Sequence, residues 1–316
     1  MPQTKPEMDT ANNRNLVLVV GATGYIGGRL IPLLEKTGVA LRCLARNPEK
    51  LRPHVSPSTE VVRGDVLDAA SLEPAMKNVK TAYYLVHLMS GSKDFEKDDR
   101  QAAMNFAQAA KKAEVRRIIY LGGLGDDTDP TLSPHLRSRH EVGKIFRSSG
   151  VETIEFRAGM VIGPGSLSFE IVRSLTDRLP VMICPRWLDT PTQPIAVDDV
   201  LAYLLAAMNL PAGDSRVFEI GSPDVTTYRD IIREYARQRG LRRLLIPVPV
   251  LTPYLSSLWL ALITPASFEV GRHLIEGLKN PTVVRDRTAL DVFPIKPMTV
   301  REAMAKAVAS ITTPPP

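Results

Sequence analysis

The sequence predicts an α/β fold, a doubly wound parallel sheet followed by a smaller C-terminal lobe. Three observations predict it. Short apolar runs alternate with helical segments from Leu16 to Arg157. The first run ends at a glycine-rich turn that opens a helix. After Gly163-Pro164-Gly165 the alternation breaks and prolines punctuate the chain. The boundaries that follow are a loose tail at 1–14, a nucleotide-type domain at 15–163, a lobe at 164–312 and a short tail at 313–316. Within the lobe, 192–222 is expected to return to the main sheet.

Leu16–Val20 is a continuous apolar run, as expected of a strand buried on both faces. Tyr25–Lys36 reads as a helix with Gly38 just beyond its end. Ala40–Ala45 is the second strand. Asn47-Pro48-Glu49 is a helix start, with Asn as cap and Pro at the first helical position. Glu60–Arg63 is a strand, Asp68–Lys77 a helix, Thr81–Val86 a strand and Asp94–Ala113 a long helix. Arg117–Leu121, Leu136–Ser148 and Glu152–Arg157 continue the alternation as strand, helix and strand. Such spacing means right-handed βαβ units on a parallel sheet. Beyond the break, Ser168–Asp177, Asp198–Met208 and Tyr228–Gln238 read as helices, and Ile195–Val197 and Val217–Ile220 as strands.

Gly21-Ala22-Thr23-Gly24-Tyr25-Ile26-Gly27 joins the first strand to the first helix. The first glycine permits the sharp turn, the second lets backbone approach a pyrophosphate, and the third lets helix pack close on strand. The helix N-terminus offers free N–H groups to phosphate. The context makes this a Rossmann-type dinucleotide site. An acid at the end of the second strand would bind the ribose hydroxyls of NAD, but Leu41 to Arg46 contains none. Arg46 stands there instead, and a guanidinium suits a 2′-phosphate, so NADP(H) is expected in preference to NAD(H). Asp65 is placed for the adenine amino group, or alternatively caps the helix near Asp68. Val66 after the third strand, Val86 at the end of the fourth and His87 right after it complete the expected cofactor wall.

These residues resemble the short-chain dehydrogenase/reductase superfamily in its extended and atypical branches. The matching pieces are Gly21–Gly27, Gly64-Asp65, Asp99–Ala110 with Val115–Leu121, Arg157–Pro164 and Pro194–Val200. Within it, the chain is similar to the group containing NmrA-type regulators, the nucleotide-binding accessory subunit of respiratory complex I and bacterial NAD(P)-binding proteins. Pro247–Pro249 and Arg272–Val284 resemble the last of these. The resemblance implies a Ser-Tyr-Lys triad, in which Tyr handles the carbonyl proton and Lys holds the nicotinamide ribose. Here Gly123, His135 and Arg139 stand at those positions. A rival register, His140 to Lys144, keeps a lysine but breaks the alignment of the following Ser-Gly. On the first register, Arg139 is a fixed cation for the ribose and His135 a candidate proton donor, since imidazole titrates near neutrality. The alternative is that both are surface or nucleotide contacts without proton chemistry.

Composition narrows the partners. With 40 Lys+Arg, 34 Asp+Glu and a net charge of +6, the chain is basic. Its cations are scattered, however, and the densest group, Arg237 to Arg243, reads as a solvated helix end rather than a nucleic-acid site. The 2 cysteines lie far apart and the 5 histidines lack metal-ligand spacing, so neither disulfide nor metal is expected. Met1 to Asn15 has no apolar core typical of a signal peptide, which fits a reducing, cytoplasmic compartment.

Leu244 to Phe268 runs without a charge, long enough to suggest a membrane span. Pro247, Pro249 and Pro253 break its first half, so a wall of the substrate pocket is the first reading and a peripheral membrane contact the second. A pocket so lined takes an apolar ligand, such as a quinone, isoprenoid or lipid-like carbonyl compound. Two functions follow: hydride transfer from NADPH to such an acceptor, or a non-catalytic NADP(H)-binding redox sensor or assembly factor.

Overall fold

The computed structural model describes residues 15–88, 94–248 and 277–312. The expected tails at 1–14 and 313–316, residues 249–268 of the uncharged stretch, and 272–276 of the C-terminal resemblance lie outside the described residues.

The first strands and helices are β1 (Leu16–Val20), α1 (Tyr25–Lys36), β2 (Leu41–Ala45), α2 (Pro48–Leu51), β3 (Glu60–Arg63), α3 (Ala69–Met76) and β4 (Val79–Tyr84). Next come α4 (Phe95–Lys112), β5 (Arg117–Gly123), α5 (Pro134–Arg147) and β6 (Glu152–Ala158). With β11 (Arg216–Ile220) they build a seven-stranded sheet in the order β11-β6-β5-β4-β1-β2-β3. Every pairing in it is parallel. Strand order therefore reverses beside β1, between β4 and β2, which is where ligands bind in open α/β sheets.

Period-two alternation explains the two core layers. Val17 and Val19 face one side with Leu30, Ile31 and Leu34 of α1. Leu16, Leu18 and Val20 face the other, against Phe106 of α4 and Phe146 of α5. Arg117, 2% exposed at the start of β5, donates to Glu152 and to the carbonyls of Ala207, Leu210 and Pro211. It satisfies carbonyls at a helix end, a position that favours cations.

Two details differ from the sequence reading. β4 ends at Tyr84 rather than Val86; Leu85, beyond it, still donates to the Val20 carbonyl at 2.9 Å and packs against Gly21. Asn47 makes no side-chain cap, and the helix after it is one turn that continues as a 3-10 turn, Arg52–His54.

The remaining elements are β7 (Val161–Ile162), α6 (Leu167–Arg178), β8 (Val181–Pro185), β9 (Pro191–Thr192), β10 (Ile195–Ala196), α7 (Val197–Ala207), β12 (Thr226–Thr227), α8 (Tyr228–Gln238) and β13 (Leu244–Val248), with α9 (Thr288–Val292) and α10 (Val300–Thr312) at the end. Of residues 192–222, only β11 pairs with the main sheet; β10 pairs with β7 in a separate ribbon. A second core gathers Phe169, Val172, Ile231, Tyr235 and Met304 from α6, α8 and α10.

Candidate active site

A cleft of about 710 Å³ opens along the C-terminal ends of the strands. Its floor is the glycine loop. Gly21 has φ +91°, and a Cβ there would come 2.7 Å from the Leu85 carbonyl carbon, so both conformation and space demand glycine. Gly24 caps α1 and donates to the Gly21 carbonyl at 2.9 Å. Gly27 lies beneath the loop, where a Cβ would sit 2.2 Å from the Gly21 oxygen. It is the glycine that lets helix meet loop, and it does not line the cleft. The first turn of α1 carries no acid of its own, which leaves its N–H groups to a ligand anion.

The other expected cofactor residues Thr23, Tyr25, Ile26, Arg46, Asp65, Val66, Val86 and His87 all line this cleft. Arg46 is exposed at the end of β2. Asp65 does not cap α3: Asp68 does, accepting from Ala70, while Asp65 Oδ1 accepts from the Leu67 N–H at 3.0 Å. Burial pushes the Tyr25 phenol up to about 12, against the opposing Arg29 cation 4.1 Å from its ring centroid. Tyr25 thus stays a neutral donor. His87 is held well below the ordinary imidazole range, by burial first, then by the Arg139 cation and by His135. Its Nε2 is buried with no hydrogen-bond partner among the described residues. A buried polar atom in that condition fits a site built for a polar ligand.

Arg139 and His135 come together at the far end. Arg139 donates to the Val86 carbonyl at 2.9 Å and to the Leu121 carbonyl, and stacks 4.9 Å from the Tyr120 ring centroid. It is a rigid cation that ties the chain after β4 to β5. His135 lies in the first turn of α5, its ring 4.7 Å from that of His87. Gly123 packs so tightly on α5 that a Cβ would stand 2.8 Å from Leu136 Cδ2. The rival histidine, His140, is sealed behind Gly123: its Nε2 is 2.9 Å from the Gly123 carbonyl and its Nδ1 2.5 Å from Asp127. It lines neither the cleft nor the pocket described next.

A second cavity, about 180 Å³, adjoins the first. Its walls are largely apolar, from Ile171, Val172 and Leu175 of α6, Trp187 and Leu188 after β8, and Ile232 of α8. Gly123, His135, Ala158, Gly159 and Ser168 line both cavities. Sequence reasoning expected an apolar pocket in this lobe but missed the residues that line this one. Its residues come from segments distant along the chain, and no local motif marks them. The signal available was the apolar stripe of α6 alone. The expected wall at Leu244–Phe268 is not among its described lining residues.

Among the described residues no group of His, Cys, Asp and Glu is arranged to hold a metal ion. Among those residues, too, no helix is long and apolar enough to cross a membrane.

Residues 21–164 match the NAD(P)H-binding family. The chain is 27% identical to the ceramide reductase of Caulobacter vibrioides over 82% of its own length and 83% of the relative's. It is 23% identical to the photosystem II assembly factor Ycf39 of Cyanophora paradoxa over 83% and 79%. Its fold superposes with a TM-score of 0.73 on an Escherichia coli NADPH-dependent quinone oxidoreductase complexed with NADPH, at 20% identity, covering 92% of this chain and 99% of that one. Loop geometry, sheet order and these likenesses agree on a Rossmann-type fold whose residues 21–164 form an NAD(P)H-binding domain.

Proposed function

We propose that the chain is an NADP(H)-dependent reductase of the atypical short-chain type, passing hydride to an apolar carbonyl or quinone-like acceptor. The observation that carries this reading is the junction of the two cavities at Gly123, His135, Ala158, Gly159 and Ser168. The glycine loop and the α1 N-terminus would hold the pyrophosphate, Arg46 the 2′-phosphate, and Asp65 the adenine. A nicotinamide cofactor held there would supply the hydride. The chain's own work is to position the acceptor and move one proton to its oxygen.

The apolar pocket excludes water and orients the acceptor. Trp187 adds one polar handle, since its indole N–H is buried with no partner among the described residues. His135 is the side chain at the junction that can hand a proton to the acceptor oxygen. Arg139 keeps a fixed positive charge beside it, its nitrogens already committed to two carbonyls. Similarity to a ceramide reductase and to a quinone oxidoreductase supports an apolar, oxygen-bearing acceptor. The reading places the protein in the cytoplasm, whose reducing conditions suit the buried free thiols of Cys43 and Cys184.

A second reading, a sensor or assembly factor that binds NADP(H) without turnover, is favoured by Gly123. It carries no hydroxyl where the usual triad has serine, and Leu136 Cδ2 fills the space a side chain would take. The likeness to an assembly factor points the same way. Stopped-flow absorbance of bound NADPH against quinones, enones and long-chain carbonyl compounds separates the two. Oxidation by at least one apolar acceptor is expected, whereas inertness to the whole panel would establish the second reading.

A further inference from the structure

β8 and β13 pair in parallel, with Leu244 opposite Val181 and Ile246 opposite Ile183. On the inner face of this ribbon, Met182 and Cys184 are buried in the second core, and Leu245 packs against it. Strand alternation therefore sends Val181, Ile183, Leu244 and Ile246 outward. All are solvent-exposed, at 49%, 55%, 59% and 41%. A two-stranded ribbon covered on one side should be polar on the other. The edges of the main sheet behave as expected: β3 presents Glu60 and Arg63 to solvent, and β11 presents Arg216. The ribbon presents four aliphatic side chains in register.

The charge around it is one-sided. The carboxylates of the neighbouring segments are each answered by an arginine: Asp177 by Arg239, Asp189 by Arg229, Asp230 by Arg233 and Glu234 by Arg237. Arg242 lies just before β13 and Arg186 directly after β8, both exposed. Arg243 caps the carbonyls of Thr176 and Asp177 at the end of α6. Among the described residues, these three leave the surroundings of the aliphatic face positive. An apolar face rimmed by arginines is the chemistry that settles on an anionic lipid surface, with side chains in the acyl boundary and guanidinium groups among phosphates.

We propose that the β8–β13 ribbon is a docking face for an anionic bilayer. Its inner residues belong to the same core as Leu188 and Trp187 of the apolar pocket, so docking brings that pocket close to the lipid. The proposal does not depend on turnover in the pocket.

The test is flotation of the full chain with vesicles of phosphatidylcholine, with and without phosphatidylglycerol. Binding to the anionic vesicles is expected, weakened by salt. Ile183→Asp combined with Ile246→Asp should lower partitioning about tenfold or more, with the melting temperature and NADPH-induced stabilisation unchanged. Arg186→Glu and Arg242→Glu should each lower it about fivefold. Equal binding to neutral vesicles, no binding to either, or binding indifferent to the substitutions overturns the proposal. A dimer that the aspartates dissolve assigns the face to a second copy. A fall in melting temperature assigns it to residues 249–276 of the same chain. Either result overturns the lipid assignment.

Discussion

The cofactor cleft and the apolar pocket share five lining residues, yet they are built by opposite means. The cleft is made by backbone. Gly21 and Gly27 remove side chains, α1 offers N–H groups, and the strand ends set the spacing. The pocket is made by side chains brought from α6, the turn after β8, α8 and the chain near 277–282. A backbone site is specified by a few consecutive residues and tolerates change elsewhere. A side-chain pocket depends on tertiary packing and varies residue by residue. One scaffold can thus keep its nucleotide while its acceptor changes.

Substitutions sharpen that contrast, and the largest effect belongs to Gly27. A valine there drives its Cβ into the Gly21 carbonyl, 2.2 Å away. Backbone must shift, and Gly27→Val is expected to destabilise the fold by about 3 kcal/mol and to abolish NADPH binding. Chemical denaturation measures the first effect and calorimetry the second. A stable variant that still binds would show that helix and loop are not locked together.

Gly24→Val separates binding from folding. A Cβ at Gly24 is 3.1 Å from the Gly21 oxygen, a contact that a small adjustment relieves. It stands, however, on the side from which a pyrophosphate approaches. The variant should melt near the wild-type temperature and lose the NADPH-induced shift. A retained shift would remove the phosphate from this loop.

Arg46→Ala acts on cofactor choice. Losing a bidentate charged hydrogen bond costs roughly 1.5–3 kcal/mol, or about tenfold or more in affinity. NADPH should weaken by that factor and NADH hardly at all, as titration calorimetry would read. Equal wild-type affinities for the two cofactors would contradict the role given to Arg46.

Acid reports on the cleft wall with a smaller effect. His87 and His140 are both held below the ordinary imidazole range, chiefly by burial. Below about pH 6.5 the unfolded chain binds protons that the folded chain refuses, so stability declines as pH falls. His87→Gln should flatten that decline between about pH 6.5 and 5. An unchanged slope in denaturation midpoints would mean that His87 is not kept neutral by its surroundings.

The same contrast explains how far the sequence could be read. The continuous apolar run of β1, the glycine spacing and Arg46 are local signals tied to backbone geometry, and the sheet and cleft follow from them. The ends of β4 and of the helix after Asn47 were less legible, because the packing of Leu85 against Gly21 and the short 3-10 turn are tertiary effects. Of the Asp65 alternatives, the cap is excluded because Asp68 takes it. The pocket had no local signature. Trp187, Ser168 and Ile232 read in isolation as ordinary core or loop residues, and only packing unites them. The parallel pairing of β8 with β13 was hidden for the same reason: the prolines near Pro247 read as breaks in an apolar wall, but a short ribbon tolerates them.

The claim that cleft and pocket act together is tested most directly by filling the pocket alone. Ile171 lines the pocket and not the cleft, and it is only half-buried, so Ile171→Trp should fold normally. Single-turnover oxidation of bound NADPH by an apolar acceptor is then compared with the wild type. The account predicts unchanged NADPH affinity and a rate lowered by at least about tenfold, since acceptor positioning is lost. An unchanged rate would show that hydride leaves the cleft by another route.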